Sequence, residues 1–371
     1  MQDAKVALVH DWLTGQRGGE KVLEMIAEIF PEAPIYTLFH FPGTQTGELE
    51  QRTIHTSFLQ RMPFLKKKYR SYLPLYPLSV ELFDLQEYDV IISSSHCVAK
   101  GAIPQPNGLH ICYVHSPVRY AWNQYFAYFS SENLGLFSRL LIPPAIHCLR
   151  QWDVTSSCRV DYFIANSKAV ARRIYRYYRR TAEVIHPPVD TEFFQLGETQ
   201  GEYFLIVSAL VPYKRIDLAV EAFNNSGALL KIVGTGPEYK KLKRKAKKNI
   251  DFLGYLPPDD LLRVYQQARA LLVPGEEDFG INALEAQACG VPVLAYGRGG
   301  VTETVLPGET GLFFKELTKE SFQDAIDRFQ SMAFHKSALR ANALRFSRET
   351  FKIKISAYFQ KKWREHQNQN D

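Results

Sequence analysis

Short apolar runs alternate with longer segments of helical period along the whole chain. Val6-Ala7-Leu8-Val9 opens the series as a buried parallel strand. The same pattern predicts strands over 34–38, 90–93, 110–114 and 162–165, with amphipathic helices at 21–30 and 168–178. The series ends at His186-Pro187-Pro188-Val189-Asp190, and the polar, loosely patterned segment 195–201 reads as a domain boundary. A second series follows, with strands over 203–207, 229–233, 251–253, 270–273 and 291–295. Its predicted helices cover 214–224, 237–247, 259–267, 281–289 and 321–332. Strand and helix alternating twice over predict an α/β protein of two doubly wound parallel sheets. The expected domains are 1–190 and 191–349, with a C-terminal helix, 350–371, returning to the first. That helix is apolar at Phe351, Ile355, Tyr358 and Phe359, and its polar end from Glu365 onward is expected to fray.

Composition agrees with a soluble globular protein. The 371 residues are 46% apolar and 23% charged, and 24 Phe with 20 Tyr exclude disorder. A net charge of +6 suits an anionic ligand or an anionic membrane surface without proving either. The five cysteines are scattered and form no Cys-x-x-Cys pair, which argues against a zinc site or disulfide framework and for a reduced, cytoplasmic compartment. The start of the chain lacks a signal-peptide layout. Its longest apolar run, 134–149, is broken by Arg139, Pro143, Pro144 and His147, so no membrane span is expected. The stretch Arg61-Met62-Pro63-Phe64-Leu65-Lys66-Lys67-Lys68-Tyr69-Arg70 fits attachment to the inner face of an anionic membrane and a solvated surface helix equally well. Lys240, Lys241, Lys243, Arg244, Lys245, Lys247 and Lys248 form a basic run without a nucleic-acid-reading motif, so no nucleic-acid partner is expected.

Ligands of doubly wound sheets sit beyond the carboxyl ends of the strands, which selects a few loops. Gly18-Gly19 follows the first strand, in a strand–loop–helix plan that brings backbone N–H groups close to a phosphate. Ser93-Ser94-Ser95-His96 and His115-Ser116-Pro117-Val118-Arg119-Tyr120 follow two others. In the second half Lys214 and Arg215 stand at the end of its first strand, where cations can neutralise a diphosphate without a metal. Gly234-Thr235-Gly236-Pro237 follows the next strand. The densest stretch runs from Glu276 to Gly290. An acidic loop (Glu276, Glu277, Asp278) enters a helix near Phe279, Gly280 and Ile281, and Glu285 lies on an early turn. Free N–H groups at such a helix start attract anions. The plainer reading is that the acids only complement the helix dipole.

In this order the stretches Arg17-Gly18-Gly19-Glu20, Tyr113-Val114-His115-Ser116-Pro117, Ala165-Asn166-Ser167, His186 through Asp190, Val211-Pro212-Tyr213-Lys214-Arg215, Gly234 through Pro237 and Glu277 through Gly290 resemble the family-4 retaining glycosyltransferases of the GT-B fold. The first-domain motifs are similar to a bacterial branch that makes surface polysaccharides, often as mannosyltransferases. The resemblance implies two Rossmann-like domains facing across a cleft, the first on the acceptor side and the second binding the donor. It implies Lys214 on the donor diphosphate, Glu285 on the ribose, and Glu277 with groups near Phe279 and Gly280 on the donor sugar. His115 would reach that sugar, and Gly18-Gly19 the phosphates. Many relatives carry Arg where this chain has Ala209, and Arg215 is the candidate substitute. The implied reaction is metal- and cofactor-free front-side transfer of a hexose, with mannose from GDP-mannose first, onto a lipid-linked or growing glycan. UDP-glucose or UDP-N-acetylhexosamine donors, a nucleotide-sugar epimerase or hydrolase, and a non-catalytic sugar-nucleotide or glycan-binding partner are the alternatives.

Overall fold

The computed structural model describes residues 4–45, 47–129, 136–198 and 201–370. The chain divides into two compact units, one of residues 1–187 with 351–371, the other of residues 188–350. The first unit holds strands β1 (Val6–His10), β2 (Ile35–Thr37), β3 (Ile54–Thr56), β4 (Val90–Ser95), β5 (Leu109–Val114), β6 (Tyr162–Ala165) and β7 (Ala182–Val184). The second holds β8 (Tyr203–Val207), β9 (Leu230–Val233), β10 (Ile250–Gly254), β11 (Ala268–Val273), β12 (Val293–Tyr296) and β13 (Gly311–Phe314).

Both sheets are parallel and wound outwards from an inner strand, in the orders β3-β2-β1-β4-β5-β6-β7 and β10-β9-β8-β11-β12-β13. The winding reverses between β1 and β4 in one sheet and between β8 and β11 in the other. These reversals are the switch points at which open α/β sheets leave a crevice for ligands. Strands β1, β4 and β5 are buried at every position, as strands covered on both faces must be. Three strands escape the sequence reading. β3 and β7 are three-residue edge strands interrupted by His55 and Glu183, and β13 follows a Pro-Gly turn with a burial pattern open at Leu312 and Phe313.

Helix Arg348–Asn370 belongs to the first unit's core, with Phe351, Ile355 and Phe359 buried at four-residue spacing. Phe359 lies 5.7 Å from Phe30, and Phe351 meets Tyr113 edge-on at 6.1 Å. Burying each such side chain stabilises the fold by about 1.5–3 kcal/mol. Contrary to the expected fraying from Glu365, the helix continues to Asn370. Lys362 pairs with Glu365 at 2.6 Å, and His366 Nε2 reaches the carbonyl of Asn107 at 2.9 Å, which ties the last turns to the body.

A buried ionic knot braces the turn after β4. Lys100 Nζ lies 3.0 Å from Asp153 Oδ1 and donates to the Asp153 carbonyl at 2.7 Å and to Ser156 Oγ at 2.6 Å. Asp153 Oδ2 accepts from Trp122 Nε1 at 2.7 Å and Tyr178 Oη at 2.9 Å. Asp153 and Ser156 stand on helix Leu136–Ser156, which carries the proline-broken apolar run through Pro143 and Pro144. Among the described residues no helix is long and apolar enough to cross a membrane.

Candidate active site

In the second unit the switch point between β8 and β11 gathers the predicted residues. A short turn, Pro212–Lys214, follows β8 and buries Lys214. The loop after β11 brings Glu277 to it, and Lys214 Nζ forms an ion pair with Glu277 Oε2. The two residues are far apart in sequence, and only the adjacency of their strands joins them. Close backbone approach makes this possible. A Cβ on Gly275 would come within 2.6 Å of Lys214 Cα and of the Tyr213 carbonyl. The Glu277 carbonyl accepts from Gly300 N at 2.7 Å, which holds the acidic loop on the far side.

Gly280 takes φ +87, a left-handed conformation that caps the start of helix Ile281–Ala288. The opening N–H groups of a helix have no carbonyl of their own turn, and Ile281 and Asn282 provide them here beside the Glu277 loop. Asn282 Nδ2 donates to the Val207 carbonyl at 2.5 Å, fastening the helix start to the end of β8. Buried Glu285 accepts from Tyr265 Oη at 3.0 Å. Phe279 is buried in the core and packs 5.9 Å from Phe346, so it anchors the loop. Arg215 goes elsewhere: it adopts φ 52 and forks onto Asp217, with Nε and Nη2 at 3.1 and 3.2 Å. The structure therefore brings Lys214, Glu277, Gly280 and Ile281 together and leaves Arg215 on its own carboxylate.

The first unit has its own constellation at the β1/β4 switch point. Helix Gly18–Ile29 starts earlier than the pattern of apolar residues indicates, so Gly18 and Gly19 are its first turn rather than a loop before it. A Cβ on Gly19 would sit 3.6 Å from both His10 Cε1 and His115 Nε2. His115 Nε2 shares a hydrogen with Ser94 Oγ at 2.8 Å. Asp11, fully buried, accepts from the backbone N–H groups of His96, Cys97, Val98 and Ala99 at 2.5–2.9 Å, and from His96 Nδ1 at 3.1 Å. Asp11 thus shapes the turn after β4 and fixes the His96 ring. His10 is buried, with the His96 ring centre 5.9 Å from its own.

Burial sets the protonation of this cluster. It lowers His115 well below the usual histidine range, helped by the charges of His96, His10 and Arg119, so His115 is neutral near pH 7. Burial, with the neighbouring His96 charge, takes His10 down to about 4, and burial takes His110 to about 4 as well. The Glu20 carboxyl moves the other way, up to about 7, because it is desolvated in the first turn of its helix.

These shifts predict opposing pH dependences. The histidine contribution is present above pH 6.5 and is lost as pH falls toward 4. The Glu20 contribution is present below pH 4.5 and is lost as pH rises through 7. Glu20→Gln should therefore leave stability at about pH 4.5 unchanged and raise that of the first unit at about pH 8 by about 2–3 kcal/mol. Chemical denaturation at the two pH values measures this, and an equal gain at both would show that ionisation is not the cause.

Sequence reasoning named His115, Gly18, Gly19, Lys214, Glu277 and Glu285 but gave no roles to the side chains of Asp11, Glu20, Tyr265 or Asn282. Their contacts span between 3 and 88 residues, and only the reach of Glu20 back to Arg17 N, at 3.2 Å, is a local pattern.

Residues 17–193 match the family Glycosyltransferase Family 4, and residues 188–346 match Glycosyl transferases group 1. Together the two matches span residues 17–346, and the chain has the GT-B fold. A GT-B protein of known structure, HepE of Anabaena in complex with UDP and glucose, superposes with a TM-score of 0.72 at 17% identity, covering 96% of this chain and 99% of that one. In sequence the chain is 30% identical over 253 residues to a D-inositol 3-phosphate glycosyltransferase of Acidothermus cellulolyticus, 58% of this chain and 56% of that protein. It is 28% identical over 194 residues to an uncharacterized glycosyltransferase of Methanocaldococcus jannaschii, 51% of this chain and 55% of that one. The chain thus spans about half the length of the curated relatives it matches.

Proposed function

We propose that this GT-B glycosyltransferase moves a hexose from a nucleoside-diphosphate donor held on its second unit to a lipid-linked or growing glycan. The observation that carries this reading is the ion pair of buried Lys214 with half-buried Glu277 at the β8/β11 switch point, beside the helix start at Ile281. An incoming diphosphate supplies Lys214 with two anionic oxygens in place of one carboxylate. Glu277, released, accepts from hydroxyls of the donor sugar, and Glu285, already oriented by Tyr265, accepts from those of the ribose. The N–H groups at the start of the helix take the phosphate side.

In the proposed front-side reaction the bond from the anomeric carbon to the diphosphate breaks as the bond to the acceptor hydroxyl forms on the same face. The departing phosphate oxygen takes the acceptor's proton. Lys214 stabilises the charge that develops on the leaving group, which is electrostatic catalysis by a fixed dipole and cation. This sequence needs no metal. In the first unit we assign His115, neutral and held by Ser94, to a sugar hydroxyl, and Gly18-Gly19 to phosphate oxygens. GDP-mannose is the donor we place first. UDP-glucose is the second reading, supported by the UDP and glucose carried by HepE.

Calorimetric titration with GDP-mannose, UDP-glucose, UDP-N-acetylglucosamine and the free nucleotides tests the proposal. One nucleotide series should bind, and Glu285→Ala should weaken that nucleotide about ten- to a hundredfold by removing a charged hydrogen-bond acceptor. If no nucleotide binds, the donor site is misassigned and the reading fails.

A further inference from the structure

We propose that the first unit docks on an anionic lipid surface through a knuckle centred on Phe64. The inference uses none of the donor-site residues. Between Gln51 and Val80 the chain carries Arg52, Arg61, Lys66, Lys67, Lys68 and Arg70 and not one carboxylate. Arg52 is spent on backbone carbonyls of the neighbouring helix end, at Ala27 and Phe30. The other five cations are exposed, and among the described residues no carboxylate pairs with them. The basic run of the second unit differs, since Lys241 pairs with Glu238 and Lys245 with Glu221.

In the middle of these cations stands Phe64, 73% exposed and in a left-handed conformation with φ 56. A bulky residue in that region is strained, and water gains nothing from an aromatic ring held open to it. The strain has an evident geometric result: it turns the chain sharply into helix Leu65–Lys68 and leaves the ring standing beside Lys68, whose Nζ lies 5.7 Å over it. A shallow pocket of about 360 Å³ adjoins the ring, lined by His40, Phe41, Gln60, Lys66 and Lys67. Lys66 Nζ reaches over Phe41 at its wall, 5.9 Å from the ring centre. The floor beneath is firm: Leu65 and Tyr76 are buried, and Tyr72 Oη holds the Pro63 carbonyl at 2.7 Å. An apolar tip flanked by cations without carboxylate partners, next to a cavity of headgroup size, is complementary to an anionic bilayer interface.

The test is co-sedimentation of the full chain with phosphatidylcholine vesicles made with and without phosphatidylglycerol, at low and high salt. Binding should require phosphatidylglycerol and weaken as salt rises. Lys66→Gln, Lys67→Gln and Lys68→Gln combined should cut partitioning about a hundredfold, and Phe64→Asn about tenfold. Asn tolerates the left-handed region, so Phe64→Asn should melt no lower than the parent while binding vesicles less. Phe126, which is more exposed still at 84% and lies outside the basic stretch 61–70, provides the control. A Phe126→Ala loss equal to that of Phe64→Asn, or no loss from either set of changes, overturns the proposal. So does an oligonucleotide that binds the same cations regardless of Phe64, which would mark a nucleic-acid surface.

Discussion

Lys214→Met should slow sugar transfer by about a hundred- to a thousandfold, the usual cost of removing one preorganised group that stabilises a leaving-group charge. The geometry adds a second, more specific expectation. Because Lys214 and Glu277 are bound to each other, each is in part the other's environment. Glu277→Gln should lower kcat with little change in donor affinity, since the amide retains an acceptor for sugar hydroxyls but loses the charge. In Lys214→Met the Glu277 carboxylate, without its cation, then faces the diphosphate and repels it, so donor KM rises as well. Adding Glu277→Gln to Lys214→Met removes that repulsion. The double variant should therefore bind donor better than Lys214→Met alone, and its loss of kcat/KM should be much smaller than the product of the single losses. Steady-state kinetics on the three variants with the donor found by titration decide the matter. Strict additivity would mean that the pair does not work as a unit.

The largest stability effect is expected far from this chemistry. Lys100→Met leaves Asp153 fully buried, still accepting from Trp122 and Tyr178 but without its cation. Breaking one side of a buried ion pair costs about 3–5 kcal/mol. Removing both charges together, by combining Asp153→Asn with Lys100→Met, should recover part of that loss, because the amide can keep both donors and leaves no charge stranded. Denaturant unfolding followed by Trp fluorescence reads this directly, since Trp122 and Trp152 flank the knot. A cost below about 1 kcal/mol for the single change, the range of an exposed pair, would show the knot to be solvated.

The fold was legible where apolar runs were long enough to be buried on two faces. β8 is an unbroken apolar run, β1 is one up to His10, β4 over Val90–Ile92 and β5 over Ile111–Val114, and their alternation with helices implies the winding. The edge strands β3 and β7 were not legible, because three residues with a His or Glu in the middle carry no periodic signal. The C-terminal helix was legible through Phe351, Ile355 and Phe359, whereas the hydrogen bond from His366 to Asn107 that keeps its end wound joins residues 259 positions apart. At the candidate site, residue types and strand ends pointed to Lys214, Glu277 and Glu285. What pairs with what was hidden. Lys214 and Arg215 are adjacent in sequence, yet one turns to Glu277 and the other to Asp217, a division set by the left-handed backbone at Arg215.

The return of the last helix to the first unit has a consequence for the order in which the protein is made. The second unit lies wholly within residues 188–350, and its two ends run side by side, with Val189 N on the Phe346 carbonyl at 2.8 Å and Asp190 paired to Arg348 at 3.5 Å. It can close as soon as it leaves the ribosome. The first unit, synthesised earlier, still lacks Phe351, Ile355 and Phe359 at that moment and presents an uncovered apolar groove beside Phe30 and Tyr113. At about 5–20 residues per second, that groove stays open for roughly ten seconds or more. The half of the chain born first is thus the half finished last, and any chain stopped short of residue 351 carries its stickiest surface exposed.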